Sequence, residues 1–366
     1  MGGTELHLVS LRLSLGNLKS SKGVKKPFHG VSCLACTVVV DGFFGDGGKG
    51  KLVSYLTVAE EVAVCARGGV GPNAGHTVVD DGVTFKLRMV PCGFVNYDTR
   101  LLIGPGVVVN PELVIKEVKE LGIEDRFGID PQCAIIEAKH IEADGKGHLK
   151  DTIGTTGTGT GPCNADRALR VAKMAKEIPE LREYLTDVSA EINEAIDSGA
   201  NVLLEGTQGT YISLYHGTYP FVTSNDVCAS AICSDVGVGP TKVDEVVLVF
   251  KAYVTRVGEG YLAGEISHEE AKKRGWDEYG TVTGRQRRAA PFNFELARRA
   301  VMLNGATQIA LTKLDILFPD CKGASDYDSL KEDAVAFVEN VEKELGLPVT
   351  FIGTGPGVRE IIDRRN

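Results

Sequence analysis

The sequence predicts an α/β fold with a mostly parallel central sheet flanked by helices. Short apolar runs alternate along the chain with longer amphipathic segments. Each apolar run also leads directly into a loop rich in glycine, threonine or charged residues. Because the carboxyl ends of parallel strands meet at one edge of a sheet, we expect these loops to converge on a ligand.

The apolar runs have the length of buried strands and are bounded by turn residues. We predict strands at 35–40, 63–65, 101–109, 201–204, 243–257, 309–311 and 349–352. Gly104 and Gly106 interrupt the third of these runs.

Four segments have the features of helices. Pro111 suits a first helical turn and opens a helix to about residue 121. Residues 181–196 carry the apolar stripe of an amphipathic helix, with Gly199 as its C-cap. Further helices are predicted at 296–303 and 330–345.

Length and composition indicate a globular protein. The chain has 366 residues, of which 43% are hydrophobic and 24% charged. No linker divides the body, so we predict a single domain over 37–366. Residues 1–36 form an extension of uncertain order, with five Lys or Arg against one acid. This extension has the composition of an organellar transit segment, but a disordered tail or an upstream gene start fits it better.

Charge and cysteine content exclude several classes of protein. The net charge is −9, with 40 Lys and Arg against 49 Asp and Glu, which argues against binding to duplex nucleic acid. No apolar run reaches the ~18 residues of a membrane helix, so no membrane partner is expected. The nine cysteines are scattered rather than dense. That pattern favours reduced thiols in a cytoplasmic protein.

The loop after the first strand has the features of a phosphate-binding loop. It reads Gly45-Asp-Gly-Gly-Lys-Gly-Lys51, but Leu52 stands where a Walker A loop has Ser or Thr. Small residues, a following helix N-terminus and two lysines can still hold phosphate. Asp46 is unusual there, because phosphates repel a carboxylate unless it binds Mg²⁺ or accepts a proton. The alternative is a flexible glycine-rich turn.

Other loops carry their own chemistry. Small residues surround His76, which favours an accessible site histidine over a structural one. Three arginines in the four residues 285–288 suit a carboxylate or phosphate ligand, although such a run is also typical of a solvated face. At 312–315 Asp315 can accept hydrogen bonds from guanine, while the Lys313 stem stacks on the base. The loop at 154–162 and the arginines that follow it suit an anion.

Taken in order, these motifs resemble the adenylosuccinate synthetases, especially the short archaeal-type form, over about residues 37–366. The motifs are GDGGKGK, GPNAGHT, GTTGTGTGP, EGTQG with GTYPFVTS, TRVG, GTVTGRQRR, LTKLD and GTGP. The resemblance implies a P-loop-like GTP-binding architecture with elaborated ligand loops. It also implies a Mg²⁺-dependent ligase of AMP biosynthesis. Such an enzyme joins L-aspartate to IMP through 6-phosphoryl-IMP, giving adenylosuccinate, GDP and phosphate.

The resemblance also implies roles for particular residues. Asp46 would be the base and His76 the acid, with Lys49 and Gln208 completing the catalytic set. One Mg²⁺ per subunit would bind Asp46 and the Gly75 carbonyl. Arg170 would reach the IMP phosphate of a neighbouring subunit, which requires a homodimer.

The implied substrate sites share several of these residues. The GTP site would comprise Gly45, Asp46, Gly47, Gly48, Lys49, Gly50, Lys51, Gly75, His76, Thr77, Arg287, Lys313, Leu314, Asp315, Gly353, Thr354 and Gly355. The IMP site would comprise Asp46, Lys49, Asn73, Ala74, Gly75, His76, Thr156, Arg170, Gln208, Thr223 and Arg285. The aspartate site would comprise Thr281, Val282, Thr283, Gly284, Arg285, Gln286 and Arg287.

Some positions depart from the family pattern, and two alternatives stay open. Phe44 replaces Trp, Gly47 replaces Glu, and Gln286 replaces Arg. One alternative is the phage-type ligase that joins aspartate to dGMP, but a smaller residue is expected there in place of Asp46. The other is a GTP-binding module without catalysis.

Overall fold

The structure is a computed structural model, and it describes residues 36–280 and 284–365. Within that part of the chain, nine strands form one central sheet. With strands numbered in chain order, their spatial order is β15 (Ile361–Asp363), β14 (Val349–Gly353), β13 (Gln308–Thr312), β10 (Glu245–Lys251), β1 (Cys36–Asp41), β9 (Val202–Glu205), β2 (Val64–Arg67), β5 (Arg100–Ile103) and β7 (Phe127–Ile129). All pairs are parallel except β14 with β15. The predicted mostly parallel sheet is therefore confirmed.

Helices cover both faces of this sheet. They are α1 (Lys49–Ala59), α2 (Pro111–Leu121), α3 (Ala138–Asp144), α4 (Thr160–Leu169), α5 (Val188–Asp197), α6 (Ala229–Val236), α7 (His268–Lys273), α8 (Phe294–Asn304), α9 (Leu314–Leu317) and α10 (Glu332–Leu345). Alternate β1 side chains point to opposite faces. Val39 joins the apolar cluster of α1 and α2, whereas Val38 and Val40 join that of α5, α6, α8 and α10.

Three small sheets extend from the loops at the carboxyl edge. The antiparallel pair β3 (His76–Asp80) and β4 (Val83–Leu87) follows the second glycine loop. β6 (Val108–Val109) pairs in parallel with β8 (Ala134–Ile135). The antiparallel pair β11 (Tyr253–Arg256) and β12 (Arg288–Pro291) carries the arginine-rich segment. The apolar run at 243–257 is thus two strands in different sheets, β10 and β11.

The helix predicted over 181–196 is the clearest error in the predicted elements. The first part, Pro179–Tyr184, is a 3₁₀ helix, and α5 begins only at Val188. The Asp187 carboxylate accepts from the Ala190 amide at 3.0 Å and so caps α5. The linking segment is drawn to the sheet edge, where the Thr186 amide donates to the Ile129 carbonyl. Hydrogen bonding of residue 186 to the edge strand β7 therefore interrupts the helix that the spacing of apolar residues predicted.

Among the described residues, no helix is both long and apolar enough to cross a membrane. The eight cysteines within the described ranges are buried free thiols. The proposed boundary of the extension at residue 36 stays a prediction, since residues 1–35 lie outside the described part.

Candidate active site

A cavity of about 840 Å³ opens at the carboxyl edge of the central sheet. Loops after β1, β2, β9, β10 and β13 all reach it, as expected for a parallel sheet. The predicted site residues that line it are Gly45, Asp46, Gly48, Lys49, Gly50, Lys51, Asn73, Ala74, Gly75, His76, Thr77, Thr156, Gln208, Thr223, Arg285, Arg287, Lys313 and Gly355. The tertiary fold thus brings together residues from seven separate motifs.

Other predicted residues lie outside the cavity lining. Gly47, Leu314, Gly353 and Thr354 lie behind it, and Thr354 is fully buried. Gly284, Gln286 and Asp315 also fall outside the lining. Arg170 is exposed at the end of α4 and does not reach the cavity. Thr281, Val282 and Thr283 lie outside the described residues.

Strained backbone marks several of the predicted residues. Six described residues other than glycine have positive φ, and four of them are predicted site residues: Asp46, Arg170, Gln208 and Lys313. Such a conformation costs a non-glycine residue about 1–3 kcal/mol, so it persists only where the surroundings impose it. The strain at these positions is consistent with a functional requirement on side-chain placement.

Asp46 and Arg287 meet across the cavity. The Asp46 Oδ2 atom lies 3.0 Å from Arg287 Nη2, and the Asp46 side chain is 28% exposed. Arg287 also bonds the Glu278 carboxylate through Nη1. The arginine-rich loop is therefore tied directly to the first glycine loop.

Glu278 is the centre of a buried charge network that the sequence analysis missed. Its carboxylate accepts from Lys251 Nζ at 2.9 Å and from the Tyr253 hydroxyl at 2.6 Å. Lys313 Nζ lies 4.0 Å away. Burial alone would raise the pKa of Glu278, but Lys251, Arg287 and Lys313 hold it far below its usual range. An acid two residues before Gly280 in the motif was the signal available in the sequence.

His76 is less accessible than the sequence suggested. It begins β3 and is only 7% exposed, because its Nδ1 atom bonds the buried carboxylate of Glu205. The Cys92 amide donates to the same carboxylate at 2.6 Å, and Arg67 Nη1 lies 3.9 Å from it. Glu205 ends β9, at the start of the EGTQG motif, and the sequence analysis gave it no role.

The charge states of this pair follow from its surroundings. Burial lowers the pKa of His76, although Glu205 opposes that shift. Burial alone would raise the pKa of Glu205, but His76 and Arg67 bring it below its ordinary value. We therefore assign an ionised Glu205 and a neutral His76 at pH 7. Because a carboxylate can only accept, Nδ1 carries the proton and Nε2 is free of it.

Several buried polar atoms at the site have no partner within the described protein. They are Asn73 Oδ1, His76 Nε2, Gln208 Oε1, Arg287 Nε and Asp315 Oδ1. Buried polar atoms in folded proteins are nearly always hydrogen-bonded. These five atoms lie at predicted ligand positions, where a bound polar ligand would give them partners.

The two loop lysines bond to backbone carbonyls. Lys49 Nζ donates to the Gln208 carbonyl. Lys51 Nζ donates to the carbonyls of Gly355 and Glu360 at 2.6 and 2.7 Å. Burial lowers the pKa of Lys51 to about 8. Lys51 thus joins α1 to the last glycine loop, in addition to placing charge at the cavity.

The donor set near Asp46 suits Mg²⁺. The Asp46 carboxylate and the Gly75 backbone line the same cavity, and hard oxygen ligands of this kind are those that Mg²⁺ prefers. Asp46 would have to exchange part of its contact with Arg287 for the ion.

Comparison with known proteins identifies the family. The family model "Adenylosuccinate synthetase" matches residues 38–180 and 170–319. Adenylosuccinate synthetase from Archaeoglobus fulgidus is 55% identical over 333 residues, covering 91% of this chain and 99% of the relative. The one from Methanocaldococcus jannaschii is 54% identical over 340 residues, covering 92% and 99%.

Solved structures share the fold. The fully ligated adenylosuccinate synthetase from Plasmodium falciparum superposes with a TM-score of 0.83 at 23% identity, covering 90% of this chain and 99% of that one. The succinoaminodeoxyadenylate synthetase of cyanophage S-2L, bound to dGMP and dATP, gives 0.76 at 24% identity, covering 90% and 95%. The extent of the family match and the identity to the archaeal relatives show that this chain belongs to the adenylosuccinate synthetase family.

Proposed function

We propose that this chain ligates L-aspartate to IMP, using GTP, and forms adenylosuccinate, GDP and phosphate in AMP biosynthesis. The observation that carries the proposal is the placement of Asp46. A carboxylate in strained backbone, within a phosphate-type loop, lines the same cavity as His76 and as Asn73 and Gln208, whose side-chain oxygens have no partner. A base that removes a proton from the purine during phosphoryl transfer must lie close to both the purine and the phosphates, as Asp46 would.

The first step is phosphoryl transfer to the purine. Asp46 takes the proton from N1 of IMP, and the electron pair moves toward O6. O6 then attacks the γ-phosphorus of GTP, forming an O–P bond as the bond to GDP breaks. Lys49 lies at the loop that would hold the phosphates and stabilises their charge. Bound Mg²⁺, held by Asp46 and Gly75, would neutralise phosphate charge.

His76 changes its charge during this step. In the free protein it is neutral, with Glu205 accepting its Nδ1 proton. An anionic phosphate near Nε2 and the ionised Glu205 both favour the imidazolium, so Nε2 takes up one proton from solvent as the nucleotide binds. The protonated ring then donates to the oxygen on which charge develops, so Glu205 is a positioning residue for the acid.

In the second step, the amine of aspartate adds to C6, the C6–O bond breaks, and phosphate leaves. The two carboxylates of aspartate need bidentate donors, which Arg285 and Arg287 provide. The base of the loop is defined: the Gly280 amide donates to the Arg285 carbonyl at 2.8 Å. Thr281, Val282, Thr283, Gly284 and Gln286 would complete the aspartate site, and the first three of these lie outside the described residues.

Guanine recognition is assigned to the opposite side of the cavity. Lys313 has a left-handed backbone and places Asp315 at the first turn of α9. The unpartnered Asp315 Oδ1 would accept from the guanine N1–H and 2-amino groups. Leu314 and residues 353–355 would pack around the base. Arg170, exposed on α4, would complete the IMP site of a partner in a cytoplasmic homodimer.

The test is direct measurement of product. We expect adenylosuccinate from IMP, GTP, Mg²⁺ and aspartate, and a loss of about 10²–10⁴-fold in kcat for Asp46→Asn, with GTP binding retained. Glu259→Gln, which keeps the size of an exposed carboxylate that lines the same cavity, serves as a specificity control and should lose much less. Product from dGMP in place of IMP would favour the phage-type reaction. Tight GTP binding without any product would favour the module without catalysis.

A further inference from the structure

Asp41 is a buried acid beneath the first glycine loop. It is the last residue of β1 and is 2% exposed. Oδ1 accepts from the amides of Phe43 at 2.9 Å and Gly45 at 3.1 Å, and Oδ2 accepts from the Gly47 amide at 2.7 Å. One carboxylate therefore organises alternate amides of the loop that leads to the helix.

The charge of Asp41 is compensated from the loop itself. Lys49 Nζ lies 3.5 Å from Oδ2 while it donates to the Gln208 carbonyl. The Thr210 hydroxyl donates to the Asp41 carbonyl at 2.8 Å, which ties the strand end to the segment after β9. Hydrogen bonds to an ionised acceptor are about twice as strong as neutral ones, so this carboxylate is a firm anchor.

These contacts divide the loop into two halves. The amides of residues 43, 45 and 47 bond to Asp41 and are not available to a phosphate. The helix that follows begins at Lys49 after Gly48, and no side chain caps it. The first amides of α1, which no side chain caps, are therefore candidates for binding phosphate.

Asp41 also explains the glycine at position 47. A Cβ atom there would lie 2.2 Å from Asp41 Oδ2, far inside contact distance. The backbone of Gly47 is not in the left-handed region, so conformation alone does not demand glycine. The requirement for glycine at position 47 therefore follows from the acid beneath the loop.

We propose that Asp41 is a positioning residue for the phosphate loop and that Asp41 and Gly47 form a coupled pair. The carboxylate that orders this loop comes from the end of β1. Asp41 holds Gly45 and Gly47, and thereby places Asp46 and Lys49. This inference rests on the proposed function for its effect on turnover, but the coupling itself is a property of the folded loop.

A double-mutant cycle tests the pair. In Gly47→Ala we expect a fall of at least about tenfold in kcat/KM for GTP, because the new methyl group displaces the Asp41 carboxylate. Asp41→Gly should lose a similar amount because the amides lose their anchor. Adding Gly47→Ala to Asp41→Gly should cost less than about twofold more, since the clash is then absent.

The exchange of the two residues tests positioning more sharply. Asp41→Gly with Gly47→Glu restores a carboxylate at the loop and should recover at least about threefold over Asp41→Gly alone, in kcat as well as in KM for GTP. A purely structural role would predict no recovery of kcat. Gly239→Ala is the matched control. Gly239 has φ −68°, and a methyl group added there would have no neighbouring atom within 4 Å.

Thermal unfolding of the same variants keeps the two proposals separate. Gly47→Ala should lower the unfolding midpoint in the Asp41 background and not in the Asp41→Gly background, whether or not the protein turns over IMP. Equal penalties in both backgrounds, or a fully active Gly47→Ala, would overturn the inference. Coupling in stability with no adenylosuccinate from the wild type would instead overturn the proposed function alone.

Discussion

At the scale of single residues, buried acids decide how the site works. Asp41, Glu205 and Glu278 each contact a charged or titratable side chain that lines the cavity, and each accepts two or more hydrogen bonds. Unpaired buried carboxylates are costly, so these acids are stable only with their specific partners. The cavity-facing side chains therefore have defined positions before any ligand binds.

Replacing Glu205 should change the pH dependence of catalysis. Glu205→Gln removes a negative charge that favours the imidazolium, so the pKa of His76 falls further. The alkaline limb of the pH–rate profile should move to lower pH, and kcat at pH 8 should fall by about 10–100-fold. An unchanged alkaline limb would exclude His76 as the acid. Glu191→Gln, an acid paired with Arg100 on the far side of the molecule, is the control.

A second buried acid makes the stability of the fold depend on pH. Asp235 on α6 accepts from the Gly69 amide at 2.8 Å, and burial raises its pKa to about 7. Between its unfolded pKa of about 4 and pH 7, the folded state holds a proton that the unfolded state has lost. This group therefore favours folding at low pH, and its contribution is lost as pH rises to 7.

Asp235→Asn should remove that dependence. We expect the free energy of unfolding of the variant to exceed that of the wild type by an amount that grows as the pH rises. The growth should be up to about 1.4 kcal/mol per pH unit until pH 7, and the difference should then level off. Urea unfolding at pH 5, 6, 7 and 8 measures it. The exposed Asp125→Asn is the control. A constant difference across this range would contradict the shifted pKa.

At the scale of elements, the segment that carries the arginines is held by the β11–β12 sheet and by β10 of the central sheet. β11 and β12 pair from Tyr253 opposite Pro291 to Arg256 opposite Arg288. The chain between β11 and β12 includes Glu278, and the carboxylate of Glu278 bonds Lys251 at the end of β10. Two separate sheets thus fix the base of the aspartate loop.

Glu278→Gln should separate stability from aspartate binding. Leaving the buried Lys251 without its partner costs about 3–5 kcal/mol, and KM for aspartate should rise at least tenfold as Arg287 loses its anchor. Adding Lys251→Met should recover most of the stability and none of the aspartate affinity. Steady-state kinetics with urea unfolding measure both. Glu270→Gln, an exposed acid paired with Arg274, is the control. If the double variant recovered both stability and aspartate affinity, Glu278 would not have separate roles in the two properties.

At the scale of the whole molecule, the cavity needs loops from nearly the full length of the domain. Residues from Phe44 to Pro356 line it. Lys51 bonds the loop at Gly355, and the Val358 amide donates to the Val79 carbonyl at 2.9 Å. The site is therefore complete only when distant parts of the central sheet have formed.

Subunit complementation tests the proposed dimer. Asp46→Asn inactivates its own site, whereas Arg170→Ala inactivates the site of the partner. Random mixing makes half of the dimers mixed, and each of these has one intact site, so activity should return to roughly one quarter of wild type. The assay follows adenylosuccinate after the two variants are unfolded and refolded together. No recovery, with dimers present by light scattering, would place Arg170 in its own subunit's chemistry or in none.

The sequence by itself determined the fold class, most of the strands and the loops that carry chemistry. These features are local, because each apolar run, glycine turn and motif consists of residues that are close together in the chain. The sequence also pointed to Asp46 as the base candidate, because a carboxylate among phosphate-binding residues is anomalous wherever it folds. The residues gathered at the cavity follow from the parallel sheet, which sends every such loop to one edge.

Only the tertiary structure decided which residues support the side chains that line the cavity. Glu205 meets His76 although 129 positions separate them in the chain, and Asp46 meets Arg287 across two sheets. The sequence analysis ended the first strand at residue 40 and gave Asp41 no role, and it noted Gly47 only as a replacement for Glu. The start of α5 was misplaced because edge pairing at β7 competes with a local helical pattern. Such contacts depend on strand order and burial, which no local pattern records.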